Sequence, residues 1–213
     1  MAPYRTCPVP DALYRTLVWL DFRLAVSLAV GLPLVLLVWS AVKRQGALLR
    51  LMGLYWKLAS LLLIAILLLT DQRPLGFWLV IVAQLILVVG LWFWVDINEE
   101  INDLPPWRAL PLSLRIWRWS FTIWALLGAG LSATALSCMD KAAMLQSKCA
   151  VWLQPPLHLH SPIAGLFGFV FGADWTPSLA AFLGYLGLVA YVVGLIQWLL
   201  VRLPKLGRVA GGF

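Results

Sequence analysis

The sequence predicts an all-α protein: a polytopic transmembrane helical bundle of about five spans, with an N-terminal interfacial helix and a re-entrant or interfacial segment before the last span. Three observations predict it. Of 213 residues, 62% are apolar and only 12% are charged, whereas a soluble domain carries about 25% charged residues. The apolar residues gather in long runs. A helix rising ~1.5 Å per residue needs ~20 residues to cross a hydrocarbon core of ~30 Å, and several runs reach that length. Thirteen Trp residues sit mostly near the ends of those runs, among them Trp39, Trp56, Trp78, Trp94, Trp117, Trp119, Trp175 and Trp198. There an indole ring is half buried and its N–H can find a partner.

Met1 to Pro10 reads as irregular because Pro3, Pro8 and Pro10 interrupt it. Met1 to Asp21 lacks a basic-then-apolar signal with a small-residue cleavage site, so no cleaved presequence is expected. Asp11 to Arg23 reads as a short amphipathic helix lying in the interface, with Leu13, Leu17, Leu20 and Leu24 on one face. Residues 1–23 form this N-terminal segment, and 24–213 form the membrane domain. Its predicted spans are about 24–42, 51–69, 75–95, 119–138 and 178–201. Pro33 is expected to kink the first, and Lys57 in the second is expected to snorkel outward. The Thr70–Pro74 turn is short, so the second and third helices should be antiparallel neighbours. Gln84 in the third span reads as an interhelix hydrogen bond. Val151 to Val170 is apolar enough to approach a span. Pro155, Pro156 and Pro162 break it, however, and a lipid-facing helix cannot leave that many backbone groups unpaired. A loop followed by an interfacial or re-entrant segment over Ile163 to Phe171 is expected.

Topology accounts for the net charge of +7 better than nucleic acid does, because the cations flank apolar spans and no basic domain follows them. Five spans put Arg5, Arg15, Arg23, Arg73, Lys141 and Lys148 on one side. Lys43, Arg44, Arg50, Lys57, Arg108, Arg115, Arg118, Arg202, Lys205 and Arg208 fall on the other. The positive-inside rule then predicts a non-cytoplasmic N-terminus and a cytoplasmic C-terminus.

Four constellations could carry chemistry. Asp96, Glu99, Glu100 and Asp103 stack on one side of a continuing helix, opposite Ile97, Ile101 and Leu104. They read either as a solvated extension pairing with Arg108, Arg115 or Arg118, or as a cation mouth of carboxylate oxygens. His158 and His160 point to one side of an extended segment, so both could ligate one metal ion, or either could be an axial ligand to haem or chlorophyll. An ordinary structural or partner contact is the competing reading. Cys138 and Cys149 fall on the predicted non-cytoplasmic side, where disulfides persist, and a bridge would close a short loop and leave Cys7 unpaired. Small-residue seams run along the fifth helix (Ala180, Gly184, Gly187, Gly194) and the fourth (Ala125, Gly128, Ser132, Ala135). They let helix backbones approach closely, either within the chain or against a docked partner protein. The fifth-helix seam and Trp175 are the candidate partner contacts.

Enzymatic signatures are missing. The sequence has no P-loop, no dinucleotide-binding glycine pattern, no His-Glu-x-x-His and no Gly-x-Ser-x-Gly. Five spans give no inverted repeat, and charge buried within the spans is expected to be nearly absent, which weakens transport.

The span order, the run Trp-Val-Asp-Ile-Asn-Glu-Glu-Ile-Asn-Asp-Leu-Pro-Pro-Trp (Trp94 to Trp107) and the Trp-rich entry to the fourth span resemble an uncharacterised family of small integral membrane proteins from cyanobacteria. The resemblance implies a thylakoid membrane location and a role beside photosystem II as an accessory or assembly protein. The expectation is therefore a non-enzymatic interaction protein whose partners are photosystem II subunits and the lipid bilayer, without nucleic acid. Any cofactor would be a chlorophyll or carotenoid at the partner interface. A pigment- or haem-binding subunit and a small cation transporter or channel are the alternatives.

Overall fold

A computed structural model of the chain describes residues 11–140 and 147–208. Among these, every regular element is helical: α1 (Asp11–Leu24), a π-helical stretch (Ala25–Gly31), α2 (Leu32–Val42), α3 (Gly46–Thr70), α4 (Leu75–Phe93), α5 (Val95–Asn102), α6 (Ala109–Ala133), a 3-10 turn (Leu136–Met139), α7 (Ser147–Phe171), α8 (Pro177–Gln197), a second π-helical stretch (Trp198–Arg202) and α9 (Leu203–Leu206). The predicted irregular segment before Asp11, with Cys7, lies outside the described residues.

Among the described residues, four helices are long and apolar enough to cross a membrane: Ala12–Val42, Gly46–Thr70, Leu75–Phe93 and Pro177–Lys205. α6 is as long as α3, but Arg115, Arg118 and three tryptophans dilute its apolar run. It nevertheless traverses the bundle. Leu110 and Leu114 share a core with Ile97 and Ile101 at one end, and Thr134, just beyond its other end, meets Tyr14.

The first difference from expectation is that no break separates an interfacial helix from the first span. α1, the π stretch and α2 form one rod. Leu13, Leu17, Leu20 and Leu24 are exposed on its outer side, while Tyr14 and Val18 are buried against the bundle. Pro33 has no N–H to give to the carbonyl of Ala29, four residues back, or of Leu28, five back. The wider π turn takes up this defect: Leu32 donates to Ser27 O, five residues earlier. The two stranded carbonyls are filled from neighbouring helices. Tyr55 Oη donates to Ala29 O at 2.7 Å, and Trp117 Nε1 donates to Leu28 O at 2.8 Å. The rings of these two donors meet edge-on, with centroids 5.1 Å apart. Inside a bilayer no water can take over such a carbonyl.

α3 is the central helix. It packs on α2, α4, α7 and α8, while α4 also packs on α6. The tight Thr70–Pro74 turn makes α3 and α4 antiparallel neighbours, as the sequence predicts, with Arg73 Nε on Asp71 at 2.8 Å. Gly76 lets the two helices approach. A Cβ there would lie 2.7 Å from Leu69 Cγ and 3.2 Å from the Ala65 carbonyl oxygen.

The second difference concerns the stretch before the last span. Instead of a loop, α7 is one helix running through Pro155, Pro156 and Pro162. It does not cross to the far end. Its start is tied to Cys138, beside the end of α6, and Leu153 shares a core with Leu69 and Phe77. Its last turns return to the start of α8, where Trp175 stacks on Phe167 at 5.1 Å. At ~1.5 Å per residue α7 is about 37 Å long. The six Cα steps from Phe171 to Pro177 cover at most about 22 Å. A helix that long cannot cross the whole bundle and still return to the end where it began, so α7 stays toward the Thr70 end and runs alongside α1, Trp152 meeting Tyr14 and His158 meeting Trp19. The loop expected before Ile163 is replaced by helix.

The fold generates a contrast between two glycines. Gly76→Val drives a branched side chain into Leu69 and the Ala65 carbonyl, and should cost about 1–3 kcal/mol. A Cβ on Gly130 meets nothing within 4 Å, so Gly130→Val should change stability by no more than about 0.5 kcal/mol. Thermal unfolding in detergent, followed by circular dichroism, compares the two.

Candidate functional site

The bundle holds two polar clusters that sequence reasoning missed, and both contradict the expectation that buried charge is nearly absent. The first closes the Phe93 end. α4 stops at Trp94, whose extended backbone (φ −84, ψ 111) turns the chain into α5. The last α4 carbonyls have no intrahelical donors, and three side chains take them in order. Arg118 Nη2 donates to Leu91 O at 2.6 Å, Asn98 Nδ2 to Trp92 O at 3.1 Å, and Arg208 Nε to Phe93 O at 2.9 Å. Cations at a helix C-terminus also complement its dipole.

Arg118 is only 5% exposed. It also donates to Asn98 Oδ1 at 2.7 Å, and its guanidinium carbon lies 4.2 Å from the Trp92 ring centre. Trp92 Nε1 in turn donates to Thr122 Oγ1 at 3.0 Å. Arg118 Nε is buried without a hydrogen-bond partner, but the bonds made through Nη2 join α4, α5 and α6.

The second cluster lies among α1, α4 and α6. Asp21 shares the inward face of α1 with Tyr14 and Val18, which precede it by seven and three residues. Trp124 Nε1 donates to Asp21 Oδ1 at 2.9 Å. A Cβ on Gly128 would lie 2.8 Å from Asp21 Oδ1 and 2.7 Å from Gln84 Nε2, so this glycine makes room for both side chains. Gln84 and Ser132 are each 2% exposed, and Gln84 Oε1 and Ser132 Oγ have no hydrogen-bond partner. The interhelix bond expected of Gln84 is therefore not formed by its oxygen. Reading α1 as one helix from Asp11 brings Asp21 inside; treating Asp21 as part of an interfacial segment hid it.

The predicted constellations fare differently. Ile97 and Ile101 are buried and the acidic side of α5 faces outward, as the spacing requires. The partner of Glu100 is Arg50 of α3, not an arginine of the following connection. Arg115 instead donates to the carbonyls of Ile101 and Asn102, at 3.2 and 3.4 Å, which caps α5. Asp96, Glu99 and Asp103 do not gather into a metal centre. Among the described residues no three His, Cys, Asp or Glu do.

His158 and His160 do not act as a pair. Residues two apart on a helix point about 200° from one another, so helical α7 separates what an extended segment would have joined. His158 meets the Trp19 ring edge-on at 5.7 Å, and His160 Nε2 is buried without a hydrogen-bond partner.

Cys138 and Cys149 are joined by a disulfide, with Cα atoms 5.6 Å apart. Around it Trp152 Nε1 donates to Tyr14 Oη at 2.7 Å, and Tyr14 Oη lies 2.8 Å from Thr134 Oγ1. These contacts fix the base of α7 to both α1 and the end of α6.

The small-residue seam of α8 faces inward rather than toward a partner. Ala180 is fully buried. Cβ atoms on Gly184 and Gly187 would lie 3.0 Å from Leu68 Cδ2 and 3.2 Å from Ile64 Cγ1, both on α3. Gly194 alone has open space beside it. The α6 seam is likewise internal, with Ala125, Gly128 and Ser132 buried.

Two outcomes follow. Arg118→Met removes the donor to Leu91 O and leaves Asn98 without its cation, so the loss of stability should be about 2–4 kcal/mol. Arg118→Lys should recover part of it, and denaturant unfolding in detergent ranks the three proteins. Non-reducing peptide mapping should recover one species joining the Cys138 and Cys149 peptides. Cys138→Ser with Cys149→Ser should speed amide exchange across residues 147–157 ahead of the rest of the bundle.

No curated protein and no solved structure matches the chain. A family model described as a protein of unknown function, DUF3177, matches residues 15–211. That range takes in most of α1, every later helix, both polar clusters and the disulfide-anchored α7, and the chain accordingly belongs to the DUF3177 family.

Proposed function

We propose that the protein is a non-enzymatic accessory or assembly factor that engages a larger membrane complex through α7. One observation carries this reading. The outer half of α7 presents Leu166, Phe169, Val170 and Phe171 at 65, 88, 57 and 68% exposure, on a helix whose base is anchored to the Thr70 end by a disulfide. An apolar surface at that depth, held rigidly at one end, is suited to a partner protein more than to catalysis.

The first complex to test comes from the resemblance of the Trp94–Trp107 run to cyanobacterial membrane proteins: a thylakoid complex, with photosystem II in first place. Among the described residues, ten Lys and Arg fall toward the Val42 end against four toward the α7 end, which favours an orientation with α7 on the non-cytoplasmic side. That side suits both the disulfide and a lumenal contact.

A second reading has its own observation. His158 lines a cleft of about 610 Å³ with Trp19, Phe22, Arg23 and Val26, where an imidazole could hold the metal of a chlorophyll or haem. Purified protein without Soret or red absorption would end that reading.

Affinity isolation from native membranes tests the main proposal. The tagged wild-type chain should bring down a defined complex. Phe169→Glu combined with Leu166→Glu should abolish the association while the detergent-solubilised protein keeps its helical spectrum. Recovery of wild type only as a free chain would count against the proposal.

A further inference from the structure

α8 packs on α3 along its first half, and the residue that follows α8 closes on the end of α4. Near the Thr70 end the contacts are Gly184 on Leu68 and Gly187 on Ile64. At the Phe93 end Trp198 closes on Trp94 and Phe93, with ring centroids 5.9 and 6.1 Å apart. The second π-helical stretch begins at that same Trp198. Between the two contacts lies a groove of about 1020 Å³ that α3, α4 and α8 share. Its floor is the close approach of Gly90 to Leu58, and its lining is almost wholly aliphatic.

Polar side chains interrupt that lining at Lys57 and Tyr191, and at Gln197 toward the Trp198 end. Tyr191 Oη is buried and has no hydrogen-bond partner. From the Gly187–Ile64 contact, Tyr191 lies about 6 Å along α8 and Lys57 about 10 Å along the antiparallel α3. The two therefore sit within about 5 Å of each other in depth. An ammonium inside a membrane-spanning helix is costly and marks a site that uses it. A hydroxyl donor with nothing to donate to carries a cost of the same kind.

We propose that this groove is a binding site for one acidic membrane lipid. An acyl chain fills the aliphatic trough between α3 and α8. Acidic head-group oxygens meet the Lys57 ammonium, and an ester or head-group oxygen accepts from Tyr191 Oη. Volume, chemistry and position agree: pockets for single ligands run to about 1,000 Å³, the trough is mostly apolar, and the Lys57 and Tyr191 donors lie at similar depth along it. Lys57 also gains a role beyond reaching for the interface, because its long stem can follow a head group toward the Trp94 end.

Native mass spectrometry of the full chain tests the assignment, after exchange into detergent with either phosphatidylglycerol or phosphatidylcholine. Wild type should retain one phosphatidylglycerol and little phosphatidylcholine. Lys57→Met should lower phosphatidylglycerol retention about tenfold or more, the size expected for a hydrogen bond to a charged group, and Lys57→Arg should restore most of it. Tyr191→Phe should lower it about fivefold. Gly194→Phe should fill the trough and reduce retention of both lipids. Equal retention of the two lipids by wild type, or undiminished phosphatidylglycerol in a folded Lys57→Met protein, would overturn the proposal.

Discussion

The structure depends on one constraint: a carbonyl freed by an irregular helix must be met by a side chain, because lipid offers no hydrogen. Two places show it. Pro33 strands Leu28 and Ala29, and the end of α4 strands Leu91, Trp92 and Phe93. Each is answered from another element, by Trp117 and Tyr55 in the first case and by Arg118, Asn98 and Arg208 in the second. Hydrophobic burial contributes little to helix association in a bilayer, since lipid tails are as apolar as leucine. These directed bonds, with close packing, fix which helix faces which. α6 supplies the donors Trp117, Arg118 and Trp124, so the least apolar long helix is the one that organises the others.

Much of the fold was legible in the sequence because membrane spans announce themselves by length and composition alone. The α3–α4 hairpin, α8 and the amphipathic α5 followed from run length, a five-residue turn and the spacing of Ile97 and Ile101. The errors came where local rules met tertiary compensation. Pro155, Pro156 and Pro162 argued for a loop, yet a disulfide and a buried Trp152–Tyr14 bond hold that stretch helical. The amphipathic spacing of Leu13, Leu17, Leu20 and Leu24, with Arg23 at its edge, suggested a separate interfacial helix, yet α1 runs straight through into α2. Charge at one edge of an apolar run does not say whether the helix stops there.

The candidate sites were less legible, for a physical reason. A ligand pair depends on the direction of side chains, and direction depends on secondary structure. Once α7 is helical, His158 and His160 diverge. Asp21 turns inward only if α1 keeps its phase from Tyr14. The groove beside Tyr191 depends on where two helices separate, which no single-helix pattern encodes. The cysteine pair was legible because eleven residues of separation and one compartment suffice to suggest it. The small-residue seam of α8 was legible as a close-packing face, but its partner proved to be α3 within the same chain.

The unbroken rod from α1 through α2 has a consequence for the bilayer itself. At 31 residues it is about 46 Å long, whereas α4, with 19 residues, is about 28 Å long. A hydrocarbon slab of uniform thickness matches α4 and falls well short of the rod. The rod must therefore lean, or push its leucine-studded first turns into the head-group layer beside α7. Lipid on that flank meets a taller apolar wall than lipid beside α4. The protein thus imposes a thickness gradient around its own perimeter, and membranes of different thickness would change the tilt of α1 before that of any other helix.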